Sequence, residues 1–123
     1  MAPPLSLSIG QIAITVRQLP RAVTFYRDAL GLKFLFESGH MAFFDCAGVR
    51  LMLSFSEHVA STYSSVIYFK TADIYTSTQA LTDKGVRFEE PPRMIAKMPD
   101  HELWMAFFRD SEGNLLALMS EVR

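Results

Sequence analysis

Short apolar runs, bounded by glycine, proline or polar residues, divide the first half of the chain into strands and one helix. Residues 20–30 carry apolar side chains at helical spacing, with Pro20 at the start and Gly31 just beyond the end. β-Branched and aromatic residues predict four strands, at residues 8–16, 32–36, 40–45 and 49–55. The predicted order is therefore β-α-β-β-β.

The same order is predicted again after a polar segment without apolar periodicity, residues 56–64. A helix is expected between Asp73, whose side chain suits an N-cap, and Gly85, which suits a helix end. Residues 89–100 contain three prolines and are expected to form an irregular connection. Strands are predicted at residues 65–70, 86–88, 101–109 and 114–120, the last two joined as a hairpin by residues 110–114 (DSEGN).

Matching segments recur at a nearly constant interval along the chain. Residues 48–54 (GVRLMLS) recur 65 residues later as residues 113–119 (GNLLALM), and residues 12–14 (IAI) recur 55 residues later as residues 67–69 (IYF). Several elements that match in order indicate a duplicated unit. We therefore divide a single domain, 1–123, into module one (about 6–56), a linker (about 57–64) and module two (about 65–121).

Side chains alternate across each predicted strand and therefore sort into two faces. One face is entirely apolar and is expected to pack beneath the helices; it carries Ile12, Ile14, Val16, Leu51, Leu53, Phe55, Ile67, Phe69, Leu116 and Leu118. The other face mixes polar, small and flexible side chains: Gln11, Ala13, Thr15, Arg50, Met52, Ser54, Val66, Tyr68, Lys70, Leu115, Ala117 and Met119. Such a mixture suits the concave side of a sheet that encloses a ligand, or else a partly hydrated sheet face or a dimer contact.

The composition argues against several classes of function. Twelve basic and thirteen acidic residues give a formal net charge of −1 without a basic run, so neither nucleic acid nor an anionic membrane is expected as a partner. Cys46 is the only cysteine, which excludes an internal disulfide and favours a reducing compartment. The N-terminal sequence does not resemble a signal peptide, and no apolar run approaches the roughly 20 residues that span a bilayer. A cytoplasmic location is expected.

Three segments resemble the vicinal oxygen chelate superfamily, which includes glyoxalases, bleomycin resistance proteins and extradiol dioxygenases. They are IGQIAITVRQLPRAVTFYRDALGLKF, VIYFKTADI and FFRDSEGNLLALM, and the last has Ser111 and Glu112 where the family phrase has Pro and Asp. The resemblance implies an α+β fold in which paired βαβββ modules form a curved eight-stranded cup with helices on its outer face. It also implies a homodimer, and leaves open whether the modules pair within a chain or between chains.

The resemblance further implies four positions that hold a divalent metal ion in metal-dependent relatives, one on the first and one on the last strand of each module. In this sequence these positions are occupied by Gln11, Met52, Val66 and Ala117. Only Gln11 offers a ligand atom that such ions prefer. No metal ion and no other cofactor is therefore expected, and the base for glyoxalase-type proton transfer is missing.

The mixed face of the predicted cup is expected to bind a small molecule. The candidate ligand-binding residues are Gln11, Arg50, Met52, Tyr68, His101, Met105, Phe107 and Ala117. The leading hypothesis is metal-independent binding of a small, partly apolar ligand. One alternative is a lyase, isomerase or dioxygenase of the same superfamily with a degenerate or displaced metal site. The other is a protein–protein or regulatory module whose cup is filled by its own side chains.

Among the three histidines, only His101 is expected near the ligand. Alternation from Phe107 places it on the mixed face, at the mouth of the cup. There it would stand beside Tyr68 or Gln11 and orient a polar ligand or act as a general base. His40 is expected on the rim and His58 in solvent.

Overall fold

The computed structural model describes residues 9–55 and 66–123, which form two modules with the same order of elements. Module one contains β1 (Gln11–Val16), α1 (Leu19–Thr24) continued by a π-helical turn (Phe25–Ala29), β2 (Lys33–Ser38), β3 (Met41–Cys46) and β4 (Val49–Phe55). Module two contains β5 (Ile67–Lys70), α2 (Ile74–Asp83), β6 (Arg93–Lys97), β7 (Glu102–Arg109) and β8 (Leu115–Val122). The predicted linker lies outside the described residues.

Each module forms its own four-stranded mixed sheet. The strand order is β1-β4-β3-β2 in the first sheet and β5-β8-β7-β6 in the second. β1 is parallel to β4 and β5 to β8, whereas the other neighbours are antiparallel. The repeat in the sequence appears in the register, because Ile12 pairs with Leu51 as Ile67 pairs with Leu116. The predicted α+β fold with two βαβββ modules is confirmed.

One hydrophobic core lies beneath the helices and includes residues of both modules. Its largest fully buried side chains are Tyr26, Phe44, Phe108, Leu53, Leu116 and Val16. We call this side of each sheet the helix-covered face and the opposite side the open face. Burial of apolar surface at about 25 cal/mol per Å² makes the helix-covered face a main source of stability. Phe55, predicted on this face, is 36% exposed because it lies at the end of β4.

The helices begin and end with different devices. Asp73 caps α2 as predicted, because its Oδ1 accepts the backbone N–H groups of Tyr75 and Thr76 at 3.1 and 3.2 Å. The helix predicted over residues 20–30 changes winding halfway, where the Leu30 N–H donates a hydrogen bond to the Phe25 carbonyl five residues earlier.

Within residues 9–55 and 66–123, neither helix is long and apolar enough to cross a membrane.

The edge strand of the second sheet differs from the prediction. The strand predicted at residues 86–88 is reduced to a single bridge between Phe88 and Phe108. Instead, β6 lies inside the segment that was expected to be irregular, and it pairs with β7. An edge strand has only one neighbouring strand, and in β6 both Met94 and Ile95 are exposed. Buried and exposed residues therefore do not alternate along β6, so the sequence has no strand pattern there.

The turn between β7 and β8 connects the two modules through a buried carboxylate. Asp110 is 6% exposed, and its Oδ2 accepts a hydrogen bond of 2.7 Å from Tyr26 Oη in the π-helical turn. Asn114 donates from Nδ2 to the same oxygen at 2.8 Å and to the Thr15 carbonyl at 3.3 Å. Module one therefore obtains polar partners for its helix and its first strand from module two.

Glu112 in the same turn serves as a remote N-cap for α1. Its Oε1 accepts the N–H groups of Arg17 and Gln18, each at 2.9 Å, and its Oε2 accepts Arg21 Nε at 2.8 Å. Burial of the carboxyl acts to raise its pKa, but these hydrogen bonds outweigh burial and lower the pKa of Glu112. The Gln18 side chain itself makes no capping bond, and Glu112 instead satisfies the backbone N–H of this N-cap residue from the other module.

Candidate functional site

The open face of the first sheet is a grid set by strand register. Its polar row is Lys33, Asp45, Arg50 and Gln11, read from β2 through β3 and β4 to β1. The row beside it is Phe36, Phe43, Met52 and Ala13. Charged and amide groups therefore lie directly next to aromatic and thioether groups, an arrangement that can contact both ends of an amphipathic ligand.

Three of the predicted ligand-binding residues come together on this face. Arg50 donates from Nε to Gln11 Oε1 at 2.9 Å, and Gln11 Nε2 lies 3.7 Å from Met52 Sδ. The amide thus holds the guanidinium on one side and contacts the thioether on the other. The sequence argument placed these residues on one face, and the register of β1 against β4 explains why they touch.

Two phenylalanines that were not among the predicted ligand-binding residues extend this cluster. The rings of Phe36 and Phe43 are stacked, with centroids 4.6 Å apart and planes 23° apart. The guanidinium carbon of Arg50 lies 5.6 Å from the centre of the Phe43 ring, within the range of a cation–π contact. The pattern of alternation gave no signal for Phe36, because a β-bulge between Phe34 and Phe36 shifts the register of β2.

The open face of the second sheet carries three more predicted residues in one row. Tyr68, Ala117 and Phe107 are register partners across β5, β8 and β7. The Tyr68 and Phe107 rings meet edge to face with centroids 6.0 Å apart, while Ala117 between them is fully buried. Met105 lies in the next row, opposite Met119. This sheet therefore presents aromatic and thioether side chains with a single phenol group, and Lys70 and Arg93 lie at the two ends of the methionine row.

His101 shares the open face of β7 but does not lie beside Tyr68 or Gln11, so that expectation is wrong. Its Nδ1 lies 2.7 Å from Asp100 Oδ1 and its Nε2 lies 3.8 Å from Glu121 Oε2. The reason is distance along the strand: six residues separate His101 from Phe107, about 20 Å at the usual rise. In the described part of the chain, His101 belongs to a charged group at the opposite end of the sheet.

The carboxylates around His101 are strongly paired. Hydrogen bonds from Arg123 and from His101 lower the pKa of Asp100. A hydrogen bond from Lys70 and the charge of that lysine lower the pKa of Glu121. The side chains of Lys70, Asp100 and Arg123 are largely exposed, which is typical of a solvated network of charges. The network ties the end of β8 to the start of β7.

The residues at the four family metal positions do not fit a divalent metal ion. Val66 and Ala117 have no donor atom, and the Met52 thioether is a poor ligand for Mn²⁺, Fe²⁺, Ni²⁺ or Zn²⁺. Gln11 is the one remaining donor, and its amide oxygen already accepts Arg50 Nε. Across residues 9–55 and 66–123, no group of three or more His, Cys, Asp or Glu side chains is positioned to hold a metal ion. We derive no chemistry through a metal at these positions.

Comparison with known proteins places the fold in one superfamily. The model of the Glyoxalase/Bleomycin resistance protein/Dioxygenase superfamily matches residues 8–118. The uncharacterized protein YraH of Bacillus subtilis (strain 168) is 27% identical over 130 residues, which cover 91% of this chain and 97% of YraH.

Solved structures with the same fold include an enzyme and a protein named only by superfamily. Lactoylglutathione lyase from Agrobacterium tumefaciens has a TM-score of 0.74 at 21% identity, over 97% of this chain and 96% of that chain. A glyoxalase/bleomycin resistance protein/dioxygenase from Alicyclobacillus acidocaldarius has a TM-score of 0.76 at 20% identity, over 94% and 92%. These likenesses agree with the duplicated βαβββ architecture and with the extent of the matched family model. The chain therefore belongs to the glyoxalase/bleomycin resistance protein/dioxygenase superfamily.

Proposed function

We propose that this protein binds a small, partly apolar ligand on the open faces of its sheets, without a metal ion. The observation that carries the proposal is the contact between the Gln11–Arg50 pair and the side chains of Phe43 and Met52. Polar groups that fix orientation, set into an aromatic and thioether surface, are the usual composition of a small-molecule site. The Tyr68–Phe107 pair on the second sheet supplies further aromatic surface of the same kind.

Metal independence is supported by the side chains at the family metal positions. A divalent ion needs three or four nitrogen or oxygen donors, and Gln11, Met52, Val66 and Ala117 offer one suitable atom. The same positions supply the proton-transferring base in glyoxalase-type chemistry, and none of these four side chains can act as such a base. Binding therefore explains the residues present better than glyoxalase-type proton transfer does.

The test is a metal analysis combined with thermal unfolding. The purified protein should contain much less than one transition metal ion per chain. Ni²⁺, Zn²⁺ or Mn²⁺ should not raise the melting temperature and a chelator should not lower it, because only ligands that bind the native state stabilise it. Methylglyoxal with glutathione should not be turned over above background. Stoichiometric metal that raises the melting temperature would instead support the lyase, isomerase or dioxygenase alternative.

We also propose that the protein is a homodimer. The outer edges of the two sheets expose large apolar side chains, on β2 and around β6: Phe34, Leu35, Met94, Ile95 and Met98. Exposed apolar surface of this kind is typical of an interface in a small domain. Light scattering at micromolar concentration should give about twice the chain mass of 13.9 kDa. A mass equal to one chain would refute this proposal and leave ligand binding to be tested alone.

A cytoplasmic location is proposed on the state of the single cysteine. Cys46 is a free, half-buried thiol. Burial and the neighbouring charge of Asp45 raise the pKa of the thiol, so it stays protonated and weakly reactive at neutral pH. A single cysteine cannot form an internal disulfide, which is typical of proteins in a reducing compartment. Fractionation of cells expressing the native sequence tests the location.

A further inference from the structure

A β-bulge in β2 changes which phenylalanine reaches the open face. Phe34 pairs with Phe44 on the helix-covered face, and the register then shifts so that Phe36 pairs with Phe43 on the open face. In a regular strand, two residues separated by one position would lie on the same side. The extra residue at the bulge therefore turns Phe36 toward the open face, where its side chain is 46% exposed.

Phe36 is the outer member of a series of three flat groups that lie next to one another. It stacks on Phe43 at 4.6 Å, and Phe43 has the Arg50 guanidinium carbon 5.6 Å from its ring centre. Phe43 is only 9% exposed because its two neighbours cover it, whereas Phe36 remains accessible. These two contacts put the Arg50 guanidinium carbon within about 10 Å of the Phe36 ring centre. This distance matches the length of a fused two-ring aromatic acid.

The guanidinium of Arg50, at the other end of this series, is held in a defined orientation. Its Nε donates to Gln11 Oε1 at 2.9 Å, which uses one of the five N–H groups of the side chain. The four N–H groups on the terminal nitrogens form the planar fork that binds a carboxylate through two parallel hydrogen bonds. A fixed fork loses less entropy when it binds than a freely rotating side chain does.

The charges around Arg50 favour an anion. The polar row contains two cations and one anion, Lys33, Arg50 and Asp45, so its net formal charge is +1. Among the described residues, Arg50 makes no ion pair with Asp45, its register partner, and bonds the neutral Gln11 instead. The guanidinium charge is therefore not neutralised by the carboxylate on its own sheet.

These observations together define a ligand class, and the inference rests on the proposed function. We propose that the first sheet selects a planar aromatic carboxylate, with its carboxylate on the Arg50 fork and its ring system against Phe36 and Met52. The Phe36–Phe43 stack supplies a flat apolar surface, and the Gln11–Arg50 pair sets the position of the charge. Neutral compounds of the same shape use only the apolar part of this surface and bind more weakly.

The test compares 2-naphthoate with 2-naphthalenemethanol, its neutral analogue, by titration calorimetry. The acid should bind the wild-type protein at least tenfold more tightly than the alcohol. Arg50→Gln should lower the affinity for the acid at least tenfold, because a charged hydrogen-bonding partner is lost, and should leave the alcohol unchanged. Phe36→Ala should weaken both compounds. Arg87→Gln is the matched control, since Arg87 is an exposed arginine outside the open face, and it should change neither affinity.

Two further measurements make the outcome decisive. Arg50→Lys keeps the charge but not the fork, so it should lose part of the affinity for the acid even if Arg50→Gln fails to fold. In spectra of ¹³C-methyl methionine, naphthoate should shift the Met52 resonance and not that of Met94, which pairs with Trp104 on the other face.

Equal binding of acid and alcohol, or full affinity in both Arg50 variants, would overturn the anion inference and leave small-molecule binding standing. A shift of the Met94 resonance alone would also overturn the anion inference, because it would place the acid away from the open face of the first sheet. Binding of neither compound at millimolar concentration would overturn the inference and also count against the proposed function.

Discussion

Replacing Tyr26 by phenylalanine removes one hydroxyl from the core that the two modules share. The side chain is fully buried, and its Oη donates to Asp110 Oδ2 at 2.7 Å. Phenylalanine fills the same volume without the oxygen, so the cost comes from the lost hydrogen bond and not from a cavity. Hydrogen bonds to charged groups contribute about 1.5–3 kcal/mol.

The expected loss lies in the lower part of that range, about 1.5–2 kcal/mol, because Asp110 keeps other donors. Its Oδ1 still accepts the N–H groups of Glu112 and Asn114, and its Oδ2 still accepts Asn114 Nδ2, each at 2.8 Å. Urea unfolding followed by far-ultraviolet circular dichroism, at one protein concentration, measures the difference. The dependence on urea should keep its slope, since the surface exposed on unfolding is unchanged.

Tyr75→Phe is the matched control, because Tyr75 is 58% exposed and should change stability by less than about 0.5 kcal/mol. Circular dichroism is preferred to fluorescence because the Tyr75 ring lies 5.8 Å from that of Trp104, the only tryptophan. A loss no larger than that of the control would refute the reasoning. It would mean that the hydroxyl bonds water equally well in the unfolded chain and contributes nothing net to the connection between modules.

The hydrogen bond between Tyr26 and Asp110 also predicts that the stability of the protein depends on pH in the alkaline range. Burial, the charge of Asp110 and the hydrogen bond to it all raise the pKa of Tyr26 well above its ordinary value of 10.0. The folded protein then retains a proton that the unfolded chain releases above about pH 10, so stability falls as the pH rises through that range. Tyr26→Phe should reduce this fall, and identical alkaline profiles for the two proteins would contradict the assignment.

Three other predictions follow from buried or constrained residues. Leu53→Ala should cost about 2–5 kcal/mol in urea unfolding because Leu53 is fully buried, and a loss below about 1 kcal/mol would contradict its packing. The pKa of Glu112 is lowered in the folded state, so its stabilising effect should be present above about pH 4.5 and decline below it. Glu112→Gln should flatten this decline in the free energy of unfolding. An unchanged dependence of stability on pH would disprove the capping role. Gly113→Ala should destabilise by about 1 kcal/mol or more because its φ is +83°, whereas Gly10→Ala, in open space without a positive φ, should be nearly neutral; equal effects would argue against the turn geometry.

The sequence was sufficient for the fold because the duplicated unit repeats the residues that set its geometry. Gly113 occupies the left-handed conformation at the turn before β8, as Gly48 does before β4. The leucines at matching positions of the repeat are buried: Leu51 and Leu53 in β4, and Leu116 and Leu118 in β8. Turn chemistry and alternation act locally, so both can be seen in the sequence without knowledge of distant contacts.

Features that depend on winding or register were not predictable in the same way. The apolar positions Val23, Tyr26 and Leu30 fit an α-helix, and the same spacing tolerates the wider turn at residues 25–29. The bulges in β2 and β6 each add one residue with no glycine or proline to signal it. Alternation counted through a bulge assigns the following side chains to the wrong face, so it would place Phe36 on the helix-covered face with Phe34.

In the candidate site, too, local alternation was predictable and distant contacts were not. Gln11, Arg50 and Met52 lie on regular, paired strands, so alternation placed them correctly on one face. His101 also lies on the expected face, but alternation says nothing about distance along a strand. Its actual partners, Asp100 and Glu121, became apparent only from the three-dimensional structure.

The remote cap on α1 has a consequence for how the chain matures during synthesis. The acceptor of the Arg17 and Gln18 N–H groups is Glu112, 95 and 94 residues downstream. A ribosome-bound chain that has not yet reached this residue therefore presents the first helix with its leading amides bonded only to water. Module one must wait for nearly the whole polypeptide before its helix start is completed, although all of its own strands emerge much earlier.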